Sequence, residues 1–446
     1  MNSSEHKIII LGAGLVGSLL ALFLVKRGHS VHIFEKRSDL RLDKKEEGRS
    51  INLALSRRGL KALEKVGLSE EVISHCIPMP GRMIHPLGKE KDFQPYGNKG
   101  QQINSIARLE LNCILMEAAE NAGVHFHFEH YCGKVDTKTN TVYYTHQQER
   151  LEETADYIFG ADGAFGVLRK AYMRTPRFEF SQHYISSGYK ELSMPPTAKG
   201  GFALDPNALH IWPRQEFMLI ALPNIDKTFT CTLFLPFEGD ISFESLHSEK
   251  EIRSFFEQYF PDAMVHMPHL IQDFQTNPTS ALVTVKCFPY VQNRSMLIGD
   301  AAHAIVPFYG QGMNAGFEDC YVLDRLIEEH NGLSLEVLNA FQQERKVDAD
   351  AISDLALYNF KEMRDKVIDP KFILQKKIEK KLHDAYPEQW VPLYTLVTFS
   401  DYRYSESLAI AQEQQKIMDK LLAMPNIDSI WENLDLAEVV NQKTLK

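Results

Sequence analysis

The sequence predicts an α/β fold: a Rossmann-like domain with an inserted antiparallel sheet and a C-terminal helical layer. Three observations carry this prediction. The N-terminal residues alternate strand, glycine-rich turn, helix and strand; short alternating segments follow Pro176; and the chain from about Leu333 has a helical composition. A start of this kind is typical of a parallel sheet that helices cover on both faces.

The first layer begins with a buried strand, Ile8 to Leu11, an apolar helix, Val16 to Arg27, and a second strand, Val31 to Phe34. Neither strand alternates fully, as a parallel strand that is buried on both faces requires. We expect further helices and strands of the same layer at 56–66, 109–122, 124–128, 157–159 and 295–298.

The second layer is predicted from short strands that Pro and Gly separate, at 208–212, 217–221 and 229–234, and residues 78–96 have the same texture. The helical region has expected breaks at Pro370 and Pro392. We therefore assign three units: a discontinuous nucleotide-binding domain at 1–77, 100–176 and 288–332, a substrate domain at 78–99 and 177–287, and a C-terminal helical region at 333–446.

Composition limits the possible functions. The 446 residues include 44% hydrophobic and 24% charged residues, with a formal net charge of -10. These values are typical of a globular protein, and the negative charge argues against nucleic acid as a partner. The six cysteines are scattered without a C-x-x-C pair, which favours reduced thiols and argues against a structural metal site.

The apolar run from Ile8 to Val25 is long enough to suggest a signal peptide or a membrane span. Three glycines interrupt it, however, no small-residue cleavage site follows, and the chain continues directly into the next strand. We therefore expect a soluble, cytoplasmic protein and leave its oligomeric state open.

Gly12-Ala-Gly14-Leu-Val-Gly17 lies between the first strand and the first helix, where a dinucleotide fingerprint belongs. Gly12 allows the tight turn, Gly14 lets backbone amides approach a pyrophosphate, and Gly17 permits close helix–strand packing. Glu35, at the end of the second strand, is placed to accept hydrogen bonds from ribose hydroxyls. The combination predicts a bound dinucleotide but does not separate NAD from FAD.

Later segments resemble flavoprotein monooxygenases. Phe159-Gly-Ala-Asp-Gly163 is similar to their DG motif, and Leu297-Ile-Gly-Asp-Ala-Ala-His303 is similar to their GD motif. In that family the GD aspartate contacts the ribitol of FAD. The following stretch, Pro307 to Asn314, runs along the isoalloxazine and opens a helix whose positive end faces the flavin. The resemblance implies FAD as the cofactor.

Taken singly, each of these aspartates could have a purely structural role. Asp162 and Asp300 each precede small residues, so each could be a turn former or a helix cap. Asp300 with His303 could suggest a metal site, but a D-x-x-H pair without a third ligand is a weak signal. The order of all three motifs along the chain favours the flavin interpretation.

A narrower resemblance, to the kynurenine 3-monooxygenase family, covers the chain from near its start to about residue 405. Residues 48–56, 82–85, 95–97 and 392–400 carry it. It implies that the amino-acid end of L-kynurenine is held by Arg82, Tyr96, Asn359 and Tyr394. With the fingerprint, it implies a cofactor site formed by Gly12, Gly14, Val16, Gly17, Glu35, Lys36, Arg37, Ala54, Arg108, Asp162, Asp300, Gly312, Met313 and Asn314.

The four substrate residues could also serve the fold alone. Arg82 could pair with a surface carboxylate, Tyr96 and Tyr394 could be core aromatics, and Asn359 could be an exposed helix residue. Eukaryotic members of the family carry a C-terminal membrane anchor, and we expect this chain to lack one. Tyr309 lies where relatives vary, and its role beside the flavin is left open.

The activity that the resemblance implies is hydroxylation of L-kynurenine to 3-hydroxykynurenine with NADPH and O2, a step of tryptophan degradation that feeds NAD biosynthesis. The ring amine makes the ortho carbon electron-rich, so neither a metal nor a catalytic residue acting as obligatory base is assigned. A single dinucleotide fingerprint implies that NADPH binds transiently. Two alternatives stay open: a related hydroxylase of a phenol such as hydroxybenzoate, and an NAD-dependent dehydrogenase or NAD-binding module.

Overall fold

The computed structural model describes residues 5–42, 52–96, 100–361 and 369–441. Two of the segments that carry the family resemblance are therefore incomplete, because residues 48–51 and 97 lie outside the described ranges.

The strands, in chain order, are β1 (Lys7–Leu11), β2 (Ser30–Phe34), β3 (Asn52–Leu55), β4 (Ile77–Met79), β5 (Gly81–Ile84), β6 (Asp92–Pro95), β7 (Ile103–Ala107), β8 (His125–His127), β9 (Tyr131–Asp136), β10 (Thr141–His146), β11 (Glu149–Thr154), β12 (Tyr157–Gly160), β13 (Glu179–Met194), β14 (Leu209–Arg214), β15 (Phe217–Pro223), β16 (Phe229–Pro236), β17 (Ser280–Phe288), β18 (Val291–Gln292) and β19 (Ser295–Leu297).

The helices, in chain order, are α1 (Leu15–Lys26), α2 (Arg57–Val66), α3 (Ser69–Ser74), α4 (Arg108–Asn121), α5 (Val167–Tyr172), α6 (Glu249–Tyr259), α7 (Pro261–Met264), α8 (Leu270–Thr276), α9 (Asp300–His303), α10 (Gly312–Glu329), α11 (Leu335–Lys361), α12 (Pro370–Ala385), α13 (Leu393–Phe399), α14 (Tyr404–Leu422), α15 (Ile427–Ile430) and α16 (Leu436–Asn441).

The first layer is a six-stranded sheet with the order β18-β19-β12-β1-β2-β8. Its pairings are parallel apart from the antiparallel β18–β19 pair at the edge. Ile8, Ile9 and Ile10 of β1 are fully buried, which explains why this strand is continuously apolar rather than alternating. Helix α1 packs against β2, α4 and α10. The predicted Rossmann-like fold is confirmed.

The second layer is a seven-stranded sheet with the order β17-β13-β16-β15-β14-β5-β6. As predicted, it is largely antiparallel and includes strands from residues 78–96. The exception is β5, which runs parallel to β14, with Arg82 opposite Leu209. No hairpin joins these two strands, which lie far apart in the sequence, so local turn geometry does not impose an antiparallel pairing.

Helices α6 to α8 cover one face of the seven-stranded sheet, where the sequence analysis expected only strands. Ile252, Phe255 and Phe256 of α6 are buried in the core that this sheet forms with its helices. A local signal was present, because Ser248 and Glu251 form a capping box at the start of α6.

Two three-stranded sheets complete the strand layers. One has the order β3-β7-β4, and the other is the meander β11-β10-β9. The meander, residues 131–154, was not predicted, although Tyr143 and Tyr144 lie in a β-rich run with turn residues on both sides.

The C-terminal region is helical, as predicted. Pro370 is the first residue of α12, whose N-cap is Asp369, and Pro392 is the N-cap of α13. Each proline therefore marks the start of a helix, where its missing N–H is not needed. Within the described ranges, every helix is too short or too polar to cross a membrane.

A seam of aromatic and apolar residues lies where the six-stranded sheet, the seven-stranded sheet and the C-terminal helices meet. It includes Phe308 and Tyr309 after α9, Phe234 of β16, Tyr394 of α13 and Tyr96 after β6. Of the residues that the sequence assigned to substrate, Tyr96 and Tyr394 belong to this seam, and Arg82 lies against both rings.

Candidate active site

In the turn between β1 and α1, Gly12 and Gly17 pack closely against other parts of the backbone, whereas Gly14 leaves open space. Gly12 has a φ of +100°, and a Cβ atom there would lie 2.7 Å from the Ala161 carbonyl oxygen. A Cβ atom at Gly17 would lie 2.0 Å from the Gly12 carbonyl oxygen. At Gly14, in contrast, no atom lies within 4 Å of a Cβ position. A ligand can therefore approach the backbone at Gly14, next to the start of α1.

Glu35 is a buried carboxylate beside this turn, with 5% of its surface exposed. Its Oε2 accepts a hydrogen bond from the Ala13 N–H at 2.9 Å, and its Oε1 accepts from the N–H and Nε of Arg37 at 3.0 Å each. Burial opposes ionisation, but the hydrogen bonds and charge of Arg37 keep the pKa of Glu35 below its ordinary value. Lys36 and Arg37 lie exposed next to it.

Val16 joins three segments that are distant in the sequence. A Cβ atom at Gly299 would lie 3.1 Å from Val16 Cγ2, and one at Gly316 would lie 2.5 Å from the same atom. The valine side chain therefore fills a hollow that two glycines leave. This packing brings the start of α1, the loop before α9 and the first turns of α10 to one place, as a shared cofactor site requires.

The two motif aspartates have different surroundings. Asp300 begins α9 and is exposed, directly after Gly299 at a φ of +60°. Asp162 Oδ2 accepts hydrogen bonds from the N–H groups of Val167 at 2.5 Å and Leu168 at 3.4 Å, and so caps α5. Its Oδ1 is buried without a hydrogen-bond partner in the described structure, and burial raises the pKa of Asp162.

Asn314 is fully buried and connects the start of α10 to the β3–α2 junction. Its Oδ1 accepts from the Ser56 N–H, and its Nδ2 donates to the carbonyl oxygens of Ala54 and Gly310, all at 2.9 Å. Helix α10 begins at Gly312 and has no acidic residue in its first turn. Its N-terminal amides therefore keep their positive potential toward the seam.

The remaining predicted cofactor residues are Met313 and Arg108. Met313 packs partly buried against the main core, and Arg108 is exposed at the start of α4. Sequence reasoning missed Glu191 of β13, whose carboxylate interacts with the charge of Arg108. Burial raises the pKa of Glu191 to about 7, and the charge of Arg108 acts in the opposite direction.

Arg82 lies in a cluster of aromatic rings. Its guanidinium carbon is 4.4 Å from the ring centroid of Tyr394 and 5.2 Å from that of Tyr96. Among the described residues, no carboxylate lies within ion-pair distance of this guanidinium. Burial opposes its charge, but the neighbouring tyrosine oxygens keep the pKa of Arg82 above its ordinary value. Arg82 is therefore a cation without a protein counter-ion in the described structure.

The tyrosines around Arg82 form a stack. The rings of Tyr96 and Tyr394 are 5.3 Å apart, and those of Tyr394 and Tyr309 are 5.7 Å apart, with Phe399 beside them. The Tyr96 hydroxyl is buried and makes no hydrogen bond of normal geometry within the described residues. Burial raises the pKa of Tyr96 well above its ordinary value, so the hydroxyl keeps its proton.

Asn359 lies at the edge of this group. Its Nδ2 donates to the Phe308 carbonyl oxygen at 2.7 Å, which places it beside the short helix Pro307–Tyr309. Three of the four predicted substrate residues thus share one cluster, and Asn359 is joined to it through the residue before Tyr309.

A buried ion network lies behind the site, and sequence reasoning missed it. Asp319 of α10 is fully buried; its Oδ2 is 2.7 Å from His303 Nε2 and accepts from the Gly299 N–H at 3.0 Å. Arg345 of α11 donates to Asp319 at 2.8 Å and to Glu318 at 2.8 Å. No local pattern predicts these contacts, since the partners belong to separate elements.

In the Asp300–His303 pair, the Nε2 atom of the His303 imidazole is engaged with Asp319. Across the described ranges, no group of three or more His, Cys, Asp or Glu side chains is arranged to hold a metal ion.

Comparison with known proteins decides the family. Residues 5–356 match the family described as FAD binding domain. A relative from Flavobacterium johnsoniae named kynurenine 3-monooxygenase is 50% identical over 428 residues, 95% of this chain and 96% of that protein. The chain belongs to the kynurenine 3-monooxygenase family. A relative of the same name from Sus scrofa is 46% identical over 432 residues, 95% of this chain and 90% of that protein.

Solved structures agree in fold. A tetrameric form of 2-methyl-3-hydroxypyridine-5-carboxylic acid oxygenase aligns with a TM-score of 0.67 at 22% identity, covering 82% of this chain and 95% of that one. The P. aeruginosa PqsL structure in complex with 2-aminobenzoylacetate aligns with a TM-score of 0.65 at 18% identity, covering 81% and 97%. At these identities the likeness establishes the architecture of this kynurenine 3-monooxygenase family member.

The residues present fit the FAD that the family binds. A Cβ atom at Gly12 would lie against Ala161 and Asp162, so the glycine turn adjoins the Asp162 carboxylate, whose Oδ1 has no partner among the described residues. The ionised Glu35 is joined to the same turn through the Ala13 N–H. Val16, at the start of α1, packs against Gly299, the residue before exposed Asp300, and against Gly316 in α10, whose N-terminus has no side-chain cap. A dinucleotide needs this combination of backbone amides, carboxylates and helix N-termini.

Proposed function

We propose that this protein hydroxylates the aromatic ring of L-kynurenine to give 3-hydroxykynurenine, using FAD, NADPH and O2. The observation that carries the proposal is Arg82, a guanidinium between tyrosine rings with no protein carboxylate as partner among the described residues. In a chain of the kynurenine 3-monooxygenase family, the expected counter-ion is the carboxylate of an amino-acid substrate.

The proposed binding mode follows from the chemistry of the cluster. A carboxylate that enters a low-polarity pocket is costly unless it is paired, and the planar guanidinium of Arg82 can pair with both of its oxygens. The protonated hydroxyl of Tyr96 can donate a further hydrogen bond, and that of Tyr394 can do the same. Asn359, beside the Phe308 carbonyl, is proposed to complete the recognition of the amino-acid end.

We propose that the cofactor is held by the predicted set. Gly12, Gly14 and Gly17 would admit the pyrophosphate, Glu35 and Asp300 would accept hydrogen bonds from hydroxyl groups, and Asn314 would fix the start of α10. When bound, FAD would accept electrons from NADPH and activate O2, which ring hydroxylation requires.

The protein's own part in the reaction is to position the ring and exclude water. The stacked rings of Tyr96, Tyr394 and Tyr309, with Phe308 and Phe399, form an apolar wall beside Arg82. A dry wall of this kind limits the loss of activated oxygen to solvent. The ring amine of the substrate directs oxygen to its ortho carbon, so no protein base is assigned to the chemical step.

The phenol hydroxylase alternative is not favoured, because relatives from bacteria and animals alike are named kynurenine 3-monooxygenase. The dehydrogenase alternative conflicts with the match of residues 5–356 to an FAD binding domain. The use of NADPH, its transient docking and the cytoplasmic location stay predictions.

Two measurements on purified protein test the proposal. The protein should carry flavin absorbance, and L-kynurenine should stimulate its NADPH oxidation. 4-Hydroxybenzoate is the matched comparison, since it offers a carboxylate and an activated ring without the amino-acid group. Stimulation by hydroxybenzoate and not by kynurenine would refute the proposed substrate.

A further inference from the structure

Arg58 of α2 ties the segment that carries Tyr394 to the rest of the molecule. This arginine is 4% exposed. Its Nε donates to the Val397 carbonyl oxygen at 2.9 Å, and its Nη2 donates to the Tyr402 carbonyl oxygen. Val397 lies in α13, one helical turn after Tyr394. The guanidinium therefore binds the end of the same helix that presents Tyr394 to Arg82.

Helix α13 needs this support. It has seven residues, and no side chain caps its N-terminus. A helix of this length is not stable by itself, and the carbonyl groups of its last turn have no partners within the helix. Arg58 satisfies one of these carbonyls and contacts the chain again at Tyr402. Its guanidinium carbon also lies 3.9 Å from the ring centroid of Tyr404, where α14 begins.

The other side of Arg58 is connected to the loop that carries Gly299 and leads into Asp300. We call this segment the flavin loop, because its residues are predicted to hold the cofactor. Its Nη1 donates to Glu318 Oε1 at 2.6 Å, and the other oxygen of Glu318 accepts from Arg345 at 2.8 Å. Arg345 also holds Asp319, which accepts from the Gly299 N–H. One chain of buried ion pairs thus runs from the end of α13 to the loop in front of Asp300.

A second contact fixes the segment after α13. Asp348 of α11 accepts hydrogen bonds from Arg403 Nε at 2.9 Å and from Ser405 Oγ at 2.6 Å, and Arg345 Nη1 lies 3.4 Å from Asp348. The segment 397–405 is therefore held at both ends by one network. Apolar packing alone would fix it less specifically, and a buried charge network of this kind favours one arrangement over alternatives.

We propose that Arg58 is a positioning residue for substrate binding: it sets the place of Tyr394 relative to Arg82 and links that place to the flavin loop at Gly299. This inference rests on the proposed function, since it concerns the site that we assign to L-kynurenine. The hydrogen-bond partners of Arg58 are Val397, Tyr402 and Glu318, none of which is assigned to substrate or cofactor, so we expect its effect on binding to pass through α13.

The test uses the flavin-loaded enzyme and four variants: Arg58→Lys, Arg58→Gln, Tyr394→Phe and the double variant Arg58→Lys with Tyr394→Phe. Arg58→Lys keeps the positive charge opposite Glu318 but cannot donate to both carbonyl groups. Because that charge is kept, Arg58→Lys is expected to fold even if Arg58→Gln, which removes the charge, does not. Arg325→Lys is the matched control, because Arg325, like Arg58, forms an ion pair between two helices, here α10 and α11 through Glu344, without contacting α13.

The readouts are flavin content, the dissociation constant of L-kynurenine from the perturbation of the flavin spectrum, and the separate KM and kcat values. Substitutions within such networks typically change the affinity at a connected site by about 3- to 30-fold. We expect Arg58→Lys to weaken kynurenine binding and to raise KM within this range. Flavin content and the Arg325→Lys control should stay at the level of the unmodified enzyme. In a protein that already carries Tyr394→Phe, Arg58→Lys should cause little further loss of kynurenine affinity.

Three outcomes would overturn the inference: kynurenine affinity unchanged in Arg58→Lys, loss of flavin in parallel with loss of kynurenine affinity, or full additivity of the Arg58 and Tyr394 effects. The unmodified enzyme reports on the proposed function separately. If it does not respond to kynurenine, that proposal fails before any Arg58 variant is measured.

Discussion

At the scale of single residues, the candidate site is marked by polar groups that have no partner among the described residues. Arg82 has tyrosine faces around it but no carboxylate among the described residues, and Asp162 Oδ1 is buried without a donor. Buried polar groups are ordinarily satisfied, so each of these exceptions indicates a missing partner. The substrate carboxylate and the cofactor are the partners that we propose.

Replacing Arg82 tests the substrate half of this assignment. Arg82→Ala should weaken kynurenine binding by about 2–5 kcal/mol, the usual effect of truncating one member of a buried charge pair. Arg82→Lys should restore only part, because an ammonium cannot reproduce the planar fork of a guanidinium. Kynurenine affinity and flavin content of the three proteins are the measurements. Unchanged kynurenine affinity in Arg82→Ala would mean that another residue holds the carboxylate.

Replacing Glu35 or Asp300 tests the cofactor half. Each substitution with alanine should weaken FAD binding by about 1.5–3 kcal/mol through the loss of charge-assisted hydrogen bonds. Glu35→Ala should also loosen the glycine turn, because Glu35 holds the Ala13 N–H, whereas exposed Asp300 has no such second role. Flavin titration of the apoprotein measures both effects. Full FAD affinity in both variants would show that the cofactor is misplaced.

At the scale of secondary structure, glycines determine how closely the elements approach. Gly316 lies in α10, where a Cβ atom would come within 2.5 Å of Val16 Cγ2. This hollow brings the start of α1, the loop at Gly299 and α10 to one place, where we propose that they share the cofactor. The same approach brings the glycine fingerprint, the GD motif and α10 together although they are distant in the chain.

This packing predicts a rescue. Gly316→Ala should destabilise the protein by about 1–3 kcal/mol through overpacking, despite the higher helix propensity of alanine. Adding Val16→Ala should recover part of that loss, since it removes the γ-methyl groups in the way. Chemical unfolding of the two single variants and the double variant measures the coupling. Additive effects would contradict the contact.

Local signals account for what could be predicted from the sequence at this scale. The βαβ start, the glycine turn and the proline-initiated helices follow from short-range patterns. Helix α6 and the 131–154 meander were missed, although the Ser248 capping box marked the former. The parallel β5–β14 pair and the contact of Asn314 with the Ser56 N–H join residues more than a hundred positions apart, which no local pattern encodes. The domain boundaries remain a prediction.

At the scale of the whole molecule, ionisable groups in both sheet layers link stability to pH. Burial, together with neighbouring histidines and other charged groups, lowers the pKa of His29 and His32 in the first layer to about 4. Burial likewise lowers the pKa of His210 in the second layer to about 4, although the hydrogen bond to the Asp205 carbonyl acts against it. All three are therefore neutral in the native protein near neutral pH.

The sign of the pH effect follows. The unfolded chain protonates its histidines near pH 6.5, whereas these three resist protonation until about pH 4 in the native state. Between these values the unfolded state binds more protons, so the free energy of unfolding falls as the pH is lowered. The free energy of unfolding is measured in urea as a function of pH for the parent protein, for His32→Gln and for the control His247→Gln at an exposed site. Only His32→Gln should show a shallower pH dependence of this free energy. Identical slopes would contradict the assignment.

For the whole molecule, we propose that one oxygen atom of O2 is inserted into kynurenine at the carbon next to the ring amine. The direct measurement is mass spectrometry of the product formed from L-kynurenine and NADPH under ¹⁸O2. The account predicts 3-hydroxykynurenine with one ¹⁸O atom in its new hydroxyl group. A product without ¹⁸O, or NADPH oxidation that consumes O2 and leaves kynurenine unchanged, would contradict it.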